Sequence, residues 1–122
     1  MRIKKARQIL KSFADDTRLR VINLLNRKEL SVSELCEVLD VQQSNLSKHL
    51  SRLLLTGVVN DRRDGLNVYY ALVKSKEKVH KELINTITIG LAENETFKND
   101  LEKMKQVVKK SRNLKEVAEK GR

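Results

Sequence analysis

Apolar residues recur at steps of three and four along most of the chain, and polar residues fill the gaps. Ile3, Ala6, Leu10 and Phe13 form one stripe over residues 2–13, with Lys4, Lys5, Arg7 and Lys11 largely off it, so the spacing predicts a first helix. Asp15 follows as an N-cap, with Asp16 in the first turn, where the helix dipole favours a negative charge. Leu19, Ile22 and Leu25 give the second helix its buried face, which fades at Asn26. Ser31-Val32-Ser33-Glu34 has the spacing of a capping box and opens a short third helix. That helix carries Val32, Leu35, Cys36 and Leu39 on one face and stops near Asp40. A fourth helix follows within a few residues, with Leu46, Leu50, Leu53 and Leu54 inward and Gly57 as its C-terminal glycine.

The period then changes. Residues 58–63 read as a strand, Asp64-Gly65 as a type I′ hairpin signal, and residues 66–72 as the returning strand, rich in β-formers. A helix from about Ser75 to Ala92 carries Val79, Leu83, Ile87 and Leu91 four apart. Residues 93–122 place Phe97, Leu101, Met104 and Val108 in a stripe among many charges. They predict one more helix that frays after Lys110 and a disordered Gly-Arg end. The organisation expected is a domain over residues 1–92 and a helical extension over 93–122. The extension's apolar stripe is expected to pack on a dimer, with binding of a small molecule as the alternative, or else Val107, Lys109, Lys110 and Arg112 extend a DNA-facing or partner-facing surface.

Composition narrows the class. The 122 residues include 26 Lys and Arg against 16 Asp and Glu, a net charge of +10, which suits a polyanionic partner. A chain this size buries roughly two thirds of its unfolded surface, enough for one core. No stretch approaches the ~20 apolar residues of a membrane span. The start, Met1-Arg2-Ile3-Lys4-Lys5, leads into an amphipathic pattern rather than a signal-peptide run, and one cysteine cannot close an intrachain disulfide. A cytoplasmic protein is expected, with the sequon Asn94-Glu95-Thr96 left unused. The absence of proline favours long helices, and the four aromatic residues are too few for a stacking platform on single strands.

Two short helices joined by a tight turn, the second with a polar outer face, make a helix-turn-helix, and the hairpin after it makes the arrangement winged. The expected class is mainly α with a small β-hairpin. A reading helix must fit a major groove about 12 Å wide and bond base edges there. Gln43, Ser44, Asn45, Ser47 and Lys48 lie on the first turns of the fourth helix, and Arg52 follows on the same outer face. Gln and Asn can bond adenine in bidentate fashion, Lys can reach guanine or phosphate, and Ser suits either. His49 either bonds a phosphate or caps the packing between helices. Arg62, Arg63 and Asn67 surround the hairpin tip, where they can reach the DNA backbone or minor groove. The excess charge is spread out: residues 75–122 hold 12 basic and 8 acidic side chains, so it is not a basic tail.

Residues 6–92 resemble the ArsR/SmtB-type winged-helix repressors. The resemblance rests on Phe13-Ala14-Asp15-Asp16-Thr17-Arg18-Leu19-Arg20, on residues 29–36 (ELSVSELC), on residues 43–50 (QSNLSKHL), on Gly57-Val58-Val59, on Arg62-Arg63-Asp64-Gly65 and on Tyr69-Tyr70, in that order. Asp16 stands where the family often has Pro, and both suit a first turn. The resemblance implies a homodimer built from the first helix and the helices after the wing, with Ile3, Leu10, Leu83, Ile87 and Leu91 at the interface. It also implies repression by binding double-stranded DNA.

The resemblance brings two metal sites into question. Family thiolates of the third helix fall at Ser31 and Ser33, and a hydroxyl does not replace a soft thiolate. At the family site after the wing, His80 matches one ligand, while Lys78, Leu91 and Asn94 replace the others. No metal and no cofactor are therefore expected. Cys36 reads as a reduced cysteine on the core face of its helix, with a redox-responsive regulator as the sharper alternative. No nucleophile–base pair or phosphate loop points to an enzyme. A winged-helix module that binds protein instead of DNA has no need of the polar and basic face over residues 43–52.

Overall fold

A computed structural model of the chain describes residues 1–120, so the Gly121-Arg122 end expected to be disordered lies outside the described residues. The elements run in the order α1 (Ile3–Phe13), α2 (Asp16–Arg27), β1 (Leu30–Ser31), α3 (Val32–Leu39), α4 (Gln43–Leu55), β2 (Val59–Asp64), β3 (Asn67–Leu72), α5 (Lys78–Gly90) and α6 (Glu95–Lys120). Their helix starts follow local chemistry. The Asp15 carboxylate accepts from the Arg18 backbone N–H at 3.1 Å and caps α2. At α3 the capping box is complete: Ser31 Oγ accepts from the Glu34 N–H at 3.1 Å, and Glu34 Oε1 accepts from the Ser31 N–H at 2.9 Å. α4 ends in a Schellman arrangement. Gly57 takes φ +72°, its N–H bonds Leu54 O at 3.1 Å, and the Val58 N–H bonds Leu53 O at 2.9 Å.

α2 is the centre of the core: Val21, Ile22, Leu24 and Leu25 are all buried, against Leu30, Leu35, Leu46, Leu50, Leu53 and Val58 from the following elements. The chain forms a three-stranded antiparallel sheet in the order β1-β3-β2, not the hairpin alone. Two residues are too few to show a period, and β1 exists because Leu30 pairs with Tyr70 and Ser31 with Tyr69. The hairpin turn also lies one residue later than its dipeptide signal. Asp64 pairs with Asn67, so Gly65 and Leu66 are the central residues. Gly65 has φ +62° and Leu66 is not in the positive-φ region, which fits type II′ and not type I′.

The outer helices depart most from expectation. The face of α1 buried in its own chain is Ile9, Ser12 and Phe13; of the expected stripe, Ile3 is 89% and Leu10 53% exposed. α1 thus has two apolar directions, and only one finds a partner within the chain. α5 buries His80, Ile84 and Ile87, while Val79 and Leu91 stay exposed. α6 does not fray after Lys110 but is helical through Lys120. Phe97, Met104, Val107 and Val108 enter the chain's own core against α2 and α3, rather than a surface kept for a dimer or for DNA.

Two ion pairs hold α6 in place. Arg20 donates from Nε and Nη2 to the two oxygens of the buried Asp100, each at 2.8 Å. Arg112 donates from Nη2 to Glu29 O at 3.1 Å and meets both Glu34 oxygens at 3.4 Å. Among the described residues no helix is long and apolar enough to cross a membrane.

Removing the carboxylate of Asp100 leaves Arg20 half-buried without its partner, so Asp100→Ala is expected to cost about 2 kcal/mol, read from the urea midpoint at constant slope. Glu34 gives a pH dependence of known sign. Burial raises its pKa, but the Ser31 N–H, Arg112 and Ser111 outweigh burial and leave it lowered. Its contribution is full above the ordinary carboxylate value of about 4.3 and is lost as pH falls through the lower folded value. Glu34→Gln should therefore flatten the acid limb of the stability curve, measured by urea denaturation at a series of pH values.

Candidate nucleic-acid interface

The helix pair α3–α4 is joined by three residues, and the bend depends on Asp40, which takes the left-handed conformation at φ 54°, ψ 51°. Aspartate tolerates that region better than most residues. The N–H groups of Asp40 and Val41 both turn back to Cys36 O, which satisfies the end of α3. α4 then packs Leu46, Leu50 and Leu53 inward. This period leaves Gln43, Ser44, Asn45, Ser47, Lys48, Ser51 and Arg52 exposed on the opposite face. Gln42, the N-cap, makes no side-chain bond to the helix, so the first-turn amides of α4 have no side-chain acceptor. An oxyanion is the complement of such an end.

His49 departs from this exposed group. It is half-buried, and its Nδ1 accepts from Arg18 Nη1 at 3.0 Å, with Asp15 Oδ2 at 3.6 Å. A guanidinium only donates, so the ring proton is placed on Nε2. Arg18 also donates from Nε to Ser12 O at 2.6 Å. His49 is therefore a packing link from α4 to the α1–α2 corner, the second of the two uses the sequence allowed.

The wing separates its two arginines. Successive strand residues face opposite sides of a sheet. Arg62 donates from Nε to both Glu29 oxygens at 3.0 Å and from Nη2 to Oε1 at 2.6 Å, and its guanidinium carbon stands 4.6 Å from the Tyr69 ring centre. It holds β2 to the segment before β1. Arg63, opposite Val68, is exposed and has no ion-pair partner among the described residues. Asn67 is half-exposed beside the turn, and Leu66 is fully exposed at the tip. Lys115 of α6 reaches Asp64 at 3.6 Å, so the last helix also touches the wing.

The contacts of Glu29, Arg18, Tyr69 and Lys115 had no signal in the sequence, because each acts on a residue thirty or more positions away or across a strand pair. Arg62 itself looked free for the same reason. Among the residues expected at a dimer interface, Ile3, Leu10 and Leu91 are exposed and Leu83 is half-buried, whereas Ile87 is only 9% exposed and packs within its own chain. Cys36 is half-buried and burial pushes its thiol up, the opposite of what a reactive thiolate requires. Ser31 Oγ and Ser33 Oγ lie 3.3 Å apart and are occupied with each other and with the cap of α3. No three His, Cys, Asp or Glu side chains converge as a metal site among the described residues.

The profile described as "Bacterial regulatory protein, arsR family" matches residues 15–61, from the start of α2 into β2. The transcriptional activator HlyU of Vibrio cholerae is 39% identical over 83 residues, which span 68% of this chain and 77% of HlyU. The arsenical resistance operon repressor of Escherichia coli is 42% identical over 66 residues, 53% of this chain and 56% of that protein. The solved structure of Vibrio cholerae HlyU superposes with a TM-score of 0.61 at 37% identity, covering 70% of this chain and 94% of HlyU. The same helix-turn-helix and wing that set the exposed face of α4 are thus shared with regulators of known kind. This chain belongs to the arsR family of winged-helix, DNA-binding transcriptional regulators, which are not enzymes.

Proposed function

We propose that the protein is a homodimeric repressor that reads an inverted-repeat operator with the exposed face of α4. The observation that carries this reading is the division of α4 itself. Leu46, Leu50 and Leu53 fix the helix to the core, and the opposite face offers Gln43, Ser44, Asn45, Ser47, Lys48 and Arg52 to a groove. Arg63, without an ion-pair partner among the described residues, is available to the phosphate backbone; Arg62 acts through the wing's shape. A net charge of +10 per chain adds long-range attraction to duplex DNA, and specificity falls to the neutral polar residues of α4.

Dimerisation is supported by the apolar surface left over. Ile3 and Leu10 on α1 and Val79 on α5 are exposed, and the Lys5–Glu77 ion pair at 3.6 Å sets α1 beside the start of α5. Burying these side chains against a second copy removes them from water, at about 25 cal/mol per Å² of apolar surface. Two reading helices would then meet successive major grooves about 34 Å apart. The family's metal sites are read as lost, since serines stand at the third-helix positions and Lys78 would repel a cation beside His80. Cytoplasmic residence follows from the same reading. An activator and a repressor both stand among the relatives, and repression is the simplest action of a dimer on an operator.

Binding is tested by fluorescence anisotropy on duplexes tiled from the gene's own upstream region, and binding without sequence or salt dependence would overturn the reading. Replacing both Ser44 and Asn45 by Ala is expected to cost about 1–3 kcal/mol of discrimination between operator and random duplex. Arg63→Ala should weaken all duplexes alike and reduce the salt slope by about one. Ile3→Glu with Leu10→Glu is expected to shift the chain from dimer to monomer in sedimentation equilibrium while leaving its circular dichroism unchanged.

A further inference from the structure

The end of α2, the end of β3 with the segment after it, and α5 enclose a cleft of about 660 Å³ on a different part of the molecule from the exposed face of α4. Its apolar wall is built by Leu25, Leu72 and Ile84. Four cations, Arg27, Lys28, Lys74 and Lys81, also line it, and none has an ion-pair partner among the described residues. The carboxylate in the lining, Glu29, is already held by Arg62, and Glu77 near His80 meets Lys5 through Oε1 while its Oε2 is buried without a hydrogen-bond partner among the described residues. The positive charge of the cleft is therefore uncompensated.

His80 is the second observation. It lines the cleft, is only 4% exposed, and its Nε2 is buried with no hydrogen-bond partner among the described residues. A buried polar atom without a partner costs about 1–3 kcal/mol, and in a native fold it calls for an explanation. Burial, then Lys5, lowers the His80 pKa, while Glu77 opposes them, so the ring is neutral near pH 7 and adds no charge to the cleft wall.

We propose that this cleft binds a small organic carboxylate with an apolar body. The body would lie against Leu25, Leu72 and Ile84 and the carboxylate among the four cations, with the His80 ring in the cleft wall. Apolar walls with a few convergent polar groups are the usual form of small-molecule sites, and a free inorganic anion would leave those walls unused. The cleft stays open in the dimer proposed above. Lys81, Ile84 and Asn85 line it on one flank of α5, and Val79 and Leu83 lie on another, at about 100° per residue. Because β3 carries the wing, an occupant bears directly on the wing's base. Binding itself does not depend on the DNA-reading assignment and is measured without DNA.

The chain has two histidines, so the imidazole resonances of His80 report on the cleft and those of His49 serve as an internal control. The full chain is titrated with 2-naphthoate and, separately, with the neutral 2-naphthamide, by two-dimensional NMR. The expected result is a saturable shift of His80 with His49 unmoved, and binding of the amide weaker by about tenfold, since it lacks the charge the cations complement. Lys74→Gln together with Lys81→Gln should weaken naphthoate by about tenfold and leave naphthamide unchanged, whereas Lys103→Gln on α6 should change neither. No saturable shift at His80, equal affinity for acid and amide, or equal loss for both ligands in the double variant would overturn the proposal.

Discussion

Ser31 is at once the last residue of β1 and the N-cap of α3, and the arrangement of the DNA-facing parts depends on it. As the last residue of β1 it pairs with Tyr69 of the wing. As the N-cap of α3 it exchanges bonds with Glu34. One residue thus ties the first helix of the helix-turn-helix to the strand that carries the wing. The cap bonds alone are modest, since a typical hydrogen bond is worth about 1 kcal/mol net. Cap and strand pairing together fix a direction, because one residue closes β1 and opens α3. The α3–α4 bend at Asp40 then propagates that direction to the exposed face of α4.

The same junction explains why α6 belongs to the fold. Glu34, already half of the capping box, also receives Arg112, and Arg112 bonds the carbonyl of Glu29, whose side chain holds Arg62 of the wing. The chain Arg112–Glu34–Ser31 and the chain Arg112–Glu29–Arg62 connect the last helix to both parts of the DNA-facing surface. Near its start, α6 is locked to α2 through Arg20 and Asp100. A helix with this many charged surface residues gains its order from such anchors and from Phe97, Met104, Val107 and Val108, more than from helix propensity.

Much of this was legible beforehand, and the reasons are local. The Asp15 cap, the Ser31–Glu34 box, the inward Leu46-Leu50-Leu53 line and the positive φ of Gly57 each arise from groups within a few residues of one another. What failed was of another kind. The turn signal at Asp64-Gly65 contained the right glycine, but the strand register decides which neighbour shares the turn. The α1 stripe was visible, yet periodicity cannot tell which of two apolar faces finds a partner in the same chain. Arg62 and Arg63 look identical in sequence; only strand alternation and the nearness of Glu29 separate an ion-paired arginine from one without a partner among the described residues.

The sequence by itself determined the helices, the wing, the family and the composition of the α4 face, because caps, periods and motif spacings are short-range properties of the chain. The tertiary structure alone decided that β1 exists, that His49 is bound by Arg18 and Arg62 by Glu29, that α6 joins the core, and that His80 lines the same cleft as Arg27, Lys28, Lys74 and Lys81. Each of those facts joins residues far apart in sequence. The interaction energies that select such partners act through space, and no local pattern records them.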